Sequence, residues 1–131
     1  MKRVSFILLS LISGLFVDVY ADQTSQIRLE HIPRHGDHFE YPVPADMPDV
    51  YYDSDNHEII IDGQGFVNYY DVEIATAASY VTVLTTQVNG YYDTIDISSL
   101  PQGHYIITIE SPLGNTFEGY FDTYSEPKSP I

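Results

Sequence analysis

LPQGHYIITI, residues 100–109, carries the clearest local pattern in this sequence. In its second half Tyr105, Ile107 and Ile109 alternate with other residues, so they share one face of an extended strand. In its first half Gly103 supplies the backbone freedom that a tight entry to a strand needs. The segment therefore predicts a turn that leads into a β-strand with one buried face.

The same period of two recurs along the chain, and no segment after residue 21 has the apolar spacing of an amphipathic helix. Further candidate strands cover 26–32, 50–53, 57–62, 67–75, 80–88, 91–98 and 117–122. Short strands at this spacing predict an all-β fold, an antiparallel immunoglobulin-like or fibronectin-III-like β-sandwich of about seven strands.

Two connections between the predicted strands have residues that indicate their conformation. The stretch 33–48 contains Pro42 and Pro44, which lack a backbone donor, and we interpret it as a loop or an edge connection. Asn89-Gly90 suits the positive φ angles of a type I′ hairpin turn. That turn pairs Val88 with Tyr91 and Leu84 with Ile95, although one bulge would invert this register.

The inward faces of these strands give a predicted core. Its members are apolar or aromatic residues at alternating positions: Ile27, Leu29, Ile59, Ile61, Val72, Ile74, Leu84, Ile95, Ile97, Leu100, Tyr105, Ile107, Ile109, Phe117 and Phe121.

The first 21 residues read as a secretory signal, because two basic residues precede an apolar run, 4–17, and the small Ala21 follows. We expect cleavage there, a sandwich domain over 22–124 and a flexible tail over 125–131. The apolar run is short for a membrane span, so we predict no transmembrane segment. The expected location is exported, either periplasmic or extracellular.

Cleavage after Ala21 would leave three basic residues, Arg28, Arg34 and Lys128, against 18 acidic ones, a formal charge of −15 compared with −14 for the whole chain. Such a polyanion repels nucleic acid, which binds proteins through clustered Lys and Arg. We therefore expect no nucleic-acid partner.

The chain has no cysteine. Disulfides, thiolate metal sites and thiol nucleophiles are excluded for that reason, and so is a lipid anchor on a cysteine. No Gly-x-Ser-x-Gly elbow supports a serine hydrolase. The sequence therefore predicts a protein that is not an enzyme and needs no cofactor.

A series of segments, in this order, resembles a family of small exported immunoglobulin-like proteins of gut anaerobic bacteria. The segments are the signal, Ile27-Arg-Leu29, the Pro-rich spacer, His57-Glu-Ile59-Ile-Ile61, Tyr70-Asp-Val72-Glu-Ile74, Leu100-x-x-Gly103-x-Tyr105-x-Ile107-x-Ile109 and Glu118-Gly119-Tyr120-Phe121. The family is a domain of unknown function. The resemblance implies a β-sandwich and supplies no activity and no site residues.

Three pairs of adjacent tyrosines are the candidate ligand-binding residues. Adjacent strand residues point to opposite faces, so one member of each pair should be exposed. If exposed members share a sheet, they make an aromatic platform that suits a sugar or a flat protein partner. The residues proposed for this platform are Tyr51, Tyr52, Tyr69, Tyr91 and Tyr92.

Metal ligands are the weaker alternative. His31, His35, Asp37 and His38 lie within eight residues and offer imidazole and carboxylate ligands for Zn²⁺ or Cu²⁺. Asp53-Ser-Asp55-Asn56-His57-Glu58 begins like a calcium loop but lacks the Gly and Glu that complete one, and is more simply a turn.

The sequence thus favours a non-catalytic exported binding or protein-interaction module, whose unknown partner is a protein or glycan at the cell surface. An exposed strand edge or the tyrosine faces would make the contact. The alternative is carbohydrate or calcium-assisted ligand binding by the acidic, Tyr-rich surface.

Overall fold

The computed structural model describes residues 24–33 and 43–124. In these ranges the chain forms no helix, and hence none long and apolar enough to cross a membrane. It forms nine strands: β1 (Thr24–Ile27), β2 (Glu30–Ile32), β3 (Asp49–Asp53), β4 (Glu58–Asp62), β5 (Tyr69–Thr76), β6 (Thr82–Asn89), β7 (Tyr92–Asp96), β8 (His104–Glu110) and β9 (Thr116–Asp122).

The strands make two antiparallel sheets. The first sheet has four strands in the order β1-β3-β4-β7, and the second has five in the order β2-β9-β8-β5-β6. Side chains from the inner faces of both sheets meet in one apolar cluster, as in a β-sandwich. The predicted all-β antiparallel sandwich is therefore confirmed.

The core agrees with the predicted residues at all positions but two. Leu84 and Leu100 are only partly buried and pack against its rim. The sequence analysis did not include several residues that the structure buries, which are Val50, Tyr52, Val67, Tyr70, Val88 and Ile106.

The predicted single strand 26–32 is wrong, because the structure divides it between the two sheets. β1 pairs with β3 in the first sheet, and β2 pairs with β9 in the second. Ile27 and Leu29 both reach the core as predicted, but the backbone between them changes sheets. These two short strands close one side of the sandwich.

The crossing from β1 to β2 lies directly over Gly119 of β9. A Cβ atom at Gly119 would be 2.8 Å from Cγ2 of Ile27 and 2.9 Å from the carbonyl oxygen of Arg28, too close for a side-chain carbon. Gly103, by contrast, would hold a Cβ no nearer than 3.7 Å to any atom, and its φ is not positive. The backbone freedom predicted for Gly103 is therefore not used.

The predicted hairpin at Asn89-Gly90 is also wrong. β6 pairs with β5 in the second sheet, and β7 pairs with β4 in the first, so the chain changes sheets here. Neither residue has the positive φ of a type I′ turn. Neither predicted pair forms: Val88 with Tyr91, Leu84 with Ile95.

Local contacts explain this crossover. The Asn89 Oδ1 accepts hydrogen bonds from the backbone N–H groups of Tyr91 at 2.8 Å and Tyr92 at 2.9 Å. Gly90 lies so close to the preceding β4–β5 loop that a Cβ there would be 1.7 Å from the carbonyl oxygen of Val67. Asn89 caps the turn and Gly90 permits the close backbone approach, and neither role requires a hairpin.

The loop before β3 is tied to the core by a buried carboxylate. Asp46 is 4% exposed and accepts hydrogen bonds from Ser111 Oγ at 2.5 Å and from Asn115 Nδ2 at 3.0 Å. Its backbone carbonyl accepts a 2.8 Å hydrogen bond from the hydroxyl of the fully buried Tyr70. Burial, and secondarily the nearby Asp46, raise the pKa of Tyr70 to about 12.

We expect Gly119→Ala to destabilise the fold by about 1–3 kcal/mol, the usual cost of forcing extra volume into a packed site. Gly103→Ala is the matched control and should change stability by less than about 0.5 kcal/mol. Urea unfolding of both variants measures the difference. Equal stabilities would contradict the close crossing of the N-terminal strands.

Stability should fall in alkali because of Tyr70. Its folded pKa of about 12 lies above the ordinary value of 10.0, so its contribution is complete below pH 10.0 and is lost as the pH rises toward 12. The loss is on the order of 2 kcal/mol. Urea unfolding across this range should show a smaller decline for Tyr70→Phe, and an equal decline would contradict the assignment.

Candidate functional site

The structure buries one of the predicted platform tyrosines. Tyr52 faces the core and is only 7% exposed, with its ring centroid 5.9 Å from that of Phe121. Its place among the ligand-binding residues was wrong, because the period of two in β3 directs Tyr52 inward beside Val50. Its neighbour Tyr51 lies on the outer face of the first sheet and is half-buried.

The other three platform residues are exposed but lie on different elements of the fold. Tyr69 is on β5 in the second sheet, whereas Tyr92 is on β7 in the first. Tyr91 lies in the crossover, where a Cβ on Gly65 would meet its ring at 2.6 Å. The five tyrosines therefore do not share one sheet face.

Of the predicted metal ligands, only His31 lies in the described ranges. It is half-buried on β2, with its ring 5.7 Å from that of Phe117. His35, Asp37 and His38 lie outside the described residues. Among residues 24–33 and 43–124 no three His, Cys, Asp or Glu side chains group so as to hold a metal ion.

The segment between β3 and β4 is a turn, as its simpler interpretation predicts. The Asp53 carboxylate accepts hydrogen bonds from the N–H of Asp55 at 3.0 Å and from Asn56 Nδ2 at 2.9 Å. His57 completes the turn with a φ of 53°. These oxygens stabilise the backbone of the turn.

A small aromatic patch occupies the outer face of the second sheet, and we call Tyr80, Ile106 and Tyr120 the outer aromatic patch. Ile106 faces away from the core yet is only 3% exposed, while the two tyrosines are 71% and 61% exposed. Tyr80 has a φ of 58° in the turn before β6. The pKa of Tyr120 is raised, mainly by the charge of Glu118 and also by burial and Tyr80.

The most unusual feature of the surface is the edge of the second sheet at β6. This strand is eight residues long and pairs with β5 on one side, and no described strand pairs with its other side. It contains no charged residue and no proline. All of its side chains except those of Leu84 and Val88 are exposed.

Two open grooves flank the β6 edge. The inner groove, between the edges of the two sheets, has a volume of about 460 Å³ and is lined by Leu84–Val88 of β6 and Asp93–Asp96 of β7. The outer groove, on the exposed face of the second sheet, has a volume of about 400 Å³ and includes Asp71, Glu73 and Glu110 in its lining. Both sides of an added strand would therefore have room.

The outer face of the second sheet is strongly acidic. Register places Glu30 beside Glu118, and Asp71 beside Glu110. Arg28 is the only Lys or Arg in the part of the chain that the structure describes. The face thus carries a negative field with few internal counter-charges.

A sequence signal for the β6 edge existed but was not used. Residues 74–92 contain no charged side chain although the chain is acidic overall. An uncharged run of this length is compatible with a buried strand pair, which is how the hairpin interpretation treated it. Only the pairing shows that, among the strands that the structure describes, none lies on the other side of β6.

Comparison with solved structures finds a similar fold. A chain described as a DUF3244 family protein with an immunoglobulin-like β-sandwich fold, from Bacteroides vulgatus ATCC 8482, has a TM-score of 0.59 and 15% sequence identity, over 77% of this chain and 99% of that chain. The predicted immunoglobulin-like class is confirmed. No family model matches the chain, and a search of curated proteins finds no significant match.

Proposed function

We propose that this protein is a non-catalytic, exported interaction module that binds an extended segment of another polypeptide along the outer edge of β6. The observation that carries the proposal is the eight-residue, uncharged edge, whose outer side no described strand covers. An extended peptide can add to such an edge through main-chain hydrogen bonds.

Within residues 24–33 and 43–124, the β6 edge lacks most of the devices by which sandwich proteins prevent such pairing. Natural edges carry Lys or other charges, prolines, strong bulges or a covering loop. β6 has neither charge nor proline, and its register shift with β5 occurs between Ile74 and Ala75, near one end of the pair. Most of the strand, from Leu84 to Asn89, keeps a regular register with β5. At its end the Asn89 N–H already donates to Asp93 Oδ2 at 3.1 Å, so the open part of the edge ends at Val88.

The other parts of the proposal rest on separate observations. Residues 1–21 support export, since they have the basic, apolar and small-residue order of a secretory signal. The immunoglobulin-like fold and the order of its segments support membership in the exported family of gut bacteria that the sequence resembles. The two grooves are shallow and open rather than a deep cleft, which supports a binding role without catalysis.

An unbiased phage library of random peptides, panned against the processed chain that is expected to begin at Asp22, tests the docking edge. Enriched peptides should protect from hydrogen exchange those amides of residues 82–88 that do not bond to β5, because these N–H groups become bonded to the peptide. Nuclear magnetic resonance reads this amide by amide. Failure to enrich any peptide, or protection confined to other strands, would contradict the proposal.

Two proline variants provide matched controls. Adjacent residues of a strand direct their N–H groups to opposite sides, so Thr85→Pro and Thr86→Pro differ in which side loses a donor. The variant that loses a backbone N–H on the side away from β5 should stay folded and stop binding the enriched peptides. The other should lose stability as its bond to β5 disappears. Undiminished binding by both folded variants would overturn the proposal.

The outer aromatic patch supports a second candidate function, carbohydrate binding. Exposed Tyr120 lies beside Ile106 in the register, exposed Tyr80 is close enough to raise the pKa of Tyr120, and Glu30 and Glu118 lie on the same face. This arrangement suits stacking against a sugar ring with polar contacts at its edge. This patch uses tyrosines other than those that the sequence analysis selected.

Thermal melts with soluble polysaccharides, with and without Ca²⁺ and EDTA, test this candidate. A polysaccharide present at 100 times its Kd stabilises by about 2.7 kcal/mol, which raises the Tm. Tyr80→Ala and Tyr120→Ala should abolish the rise, and Tyr92→Ala on the other sheet should keep it. No shift with any polysaccharide, or equal loss in all three variants, would reject it.

A further inference from the structure

We propose that the segment bound at β6 is an amphipathic, cationic strand, in which apolar side chains alternate with Lys or Arg. This inference rests on the proposed docking at the β6 edge and specifies the chemistry of the partner. It follows from what lies on the two sides of that edge.

The geometry of strand addition determines where the partner's side chains go. Successive side chains of an added strand point to opposite faces, and the strand lies about 4.8 Å from β6. One set therefore enters the inner groove between β6 and β7. The other set lies over the outer face, beside Thr85 and Gln87 and next to the outer groove.

The inner groove offers some apolar surface at its floor, between polar residues that include Thr86 and Asp93. Leu84 and Val88 point into it from β6, and Ile95 lines it from β7. Leu84 is only partly buried by the present fold, so an added strand would cover apolar surface that is now in contact with water. Burial of such surface stabilises a complex by about 25 cal/mol for each Å².

The outer groove favours basic side chains. Asp71 and Glu73 lie on β5, one strand behind β6, and are about two strand spacings, or ~10 Å, from an added strand. An extended Lys or Arg reaching across Thr85 meets a carboxylate reaching the other way. Glu110 extends the acidic lining on β8.

Hydrogen bonds direct these carboxylates toward the edge. Gln87 Nε2 donates to Asp71 Oδ1 at 3.0 Å, and the Thr82 hydroxyl donates to Glu73 Oε2. Both donors are residues of β6 and both are neutral. The negative charges are thus held beside the edge without being neutralised by it.

Charge also decides between a foreign strand and a second copy of this chain. Each processed copy is expected to carry a charge near −15, so two copies joined at β6 would bring two acidic faces together. A cationic strand is attracted to the same face. The observations therefore favour a basic partner over self-association.

Synthetic peptides of equal length test the inference. One alternates Val with Lys, a second replaces each Lys with Thr, a third replaces each Lys with Glu, and a fourth has the first peptide's composition in blocks. We expect the Val-Lys peptide to bind about threefold to tenfold more tightly than the Val-Thr peptide, the effect of a few exposed ion pairs. The Glu and block peptides should bind least.

Salt and charge variants identify the source of the preference. High salt should remove the advantage of the Lys peptide, because exposed ion pairs are screened. The double variant Asp71→Asn, Glu73→Gln should remove it too. The control double variant Asp55→Asn, Glu58→Gln makes the same charge change in and beside the β3–β4 turn and should keep it. If the double variant Asp71→Asn, Glu73→Gln still binds the Val-Lys peptide more tightly than the Val-Thr peptide, the inference is overturned.

The outcomes separate this inference from the docking proposal. If the Lys and Thr peptides bind equally and both protect β6 amides, the cationic preference is wrong and docking stands. If the Lys peptide binds without protecting β6, both are wrong. If light scattering shows a dimer whose β6 amides are protected and which binds no peptide, a second copy is the occupant and both are overturned.

Discussion

One apolar layer, shared by the inner faces of two sheets, holds this structure together. No disulfide supports the fold, since the chain has no cysteine, so the burial of this layer must do so. On one side β1 and β2 bridge the sheets by crossing over Gly119, where there is no space for a side chain. On the other side β6 and β7 belong to different sheets and stand at their margins, with a groove between them. The crossing of β1 and β2 closes one side of the sandwich. The groove between β6 and β7 leaves surface exposed on the other side.

Alternation explains why the sequence predicted the sandwich and nearly all of its core. Tyr105, Ile107 and Ile109 share a face in any pairing, because the period of two is a property of the strand itself. Which two strands pair, by contrast, is not a property of either strand alone. Asn89-Gly90 has the residues of a hairpin turn, yet these same residues also suit a capped crossover, with Asn89 Oδ1 bonded to two following N–H groups and Gly90 against Val67. The positive φ angles predicted for Asn89-Gly90 do not occur, and the choice of partner strand depended on contacts distant in sequence.

The candidate site was harder to predict for the same reason. An edge is defined by the absence of a neighbour, and nothing local to residues 82–89 reveals whether a strand will pair beyond them. The tyrosines show a related limit. Adjacency in sequence correctly implied that the members of Tyr51-Tyr52 and of Tyr69-Tyr70 would point to opposite faces, but it could not show that the outward members, half-buried Tyr51 and exposed Tyr69, would lie on different sheets. Tyr80 and Tyr120 are far apart in sequence, and only the fold brings them near enough for Tyr80 to raise the pKa of Tyr120.

The uncharged edge and the acidic surface make most sense together. A bare strand edge invites pairing with any extended chain, including further copies of itself. Negative charge over the rest of the molecule counters that risk, because copies repel one another before their edges can meet. The same charge would draw in a basic segment from a distance and hold it near the edge, where main-chain bonds and the inner groove complete the contact. A lysine within β6 would have protected the edge from aggregation as well, but it would also have repelled a cationic partner. If the proposed docking is correct, charge placed around the edge, rather than in it, would keep the edge available to a basic strand and closed to others.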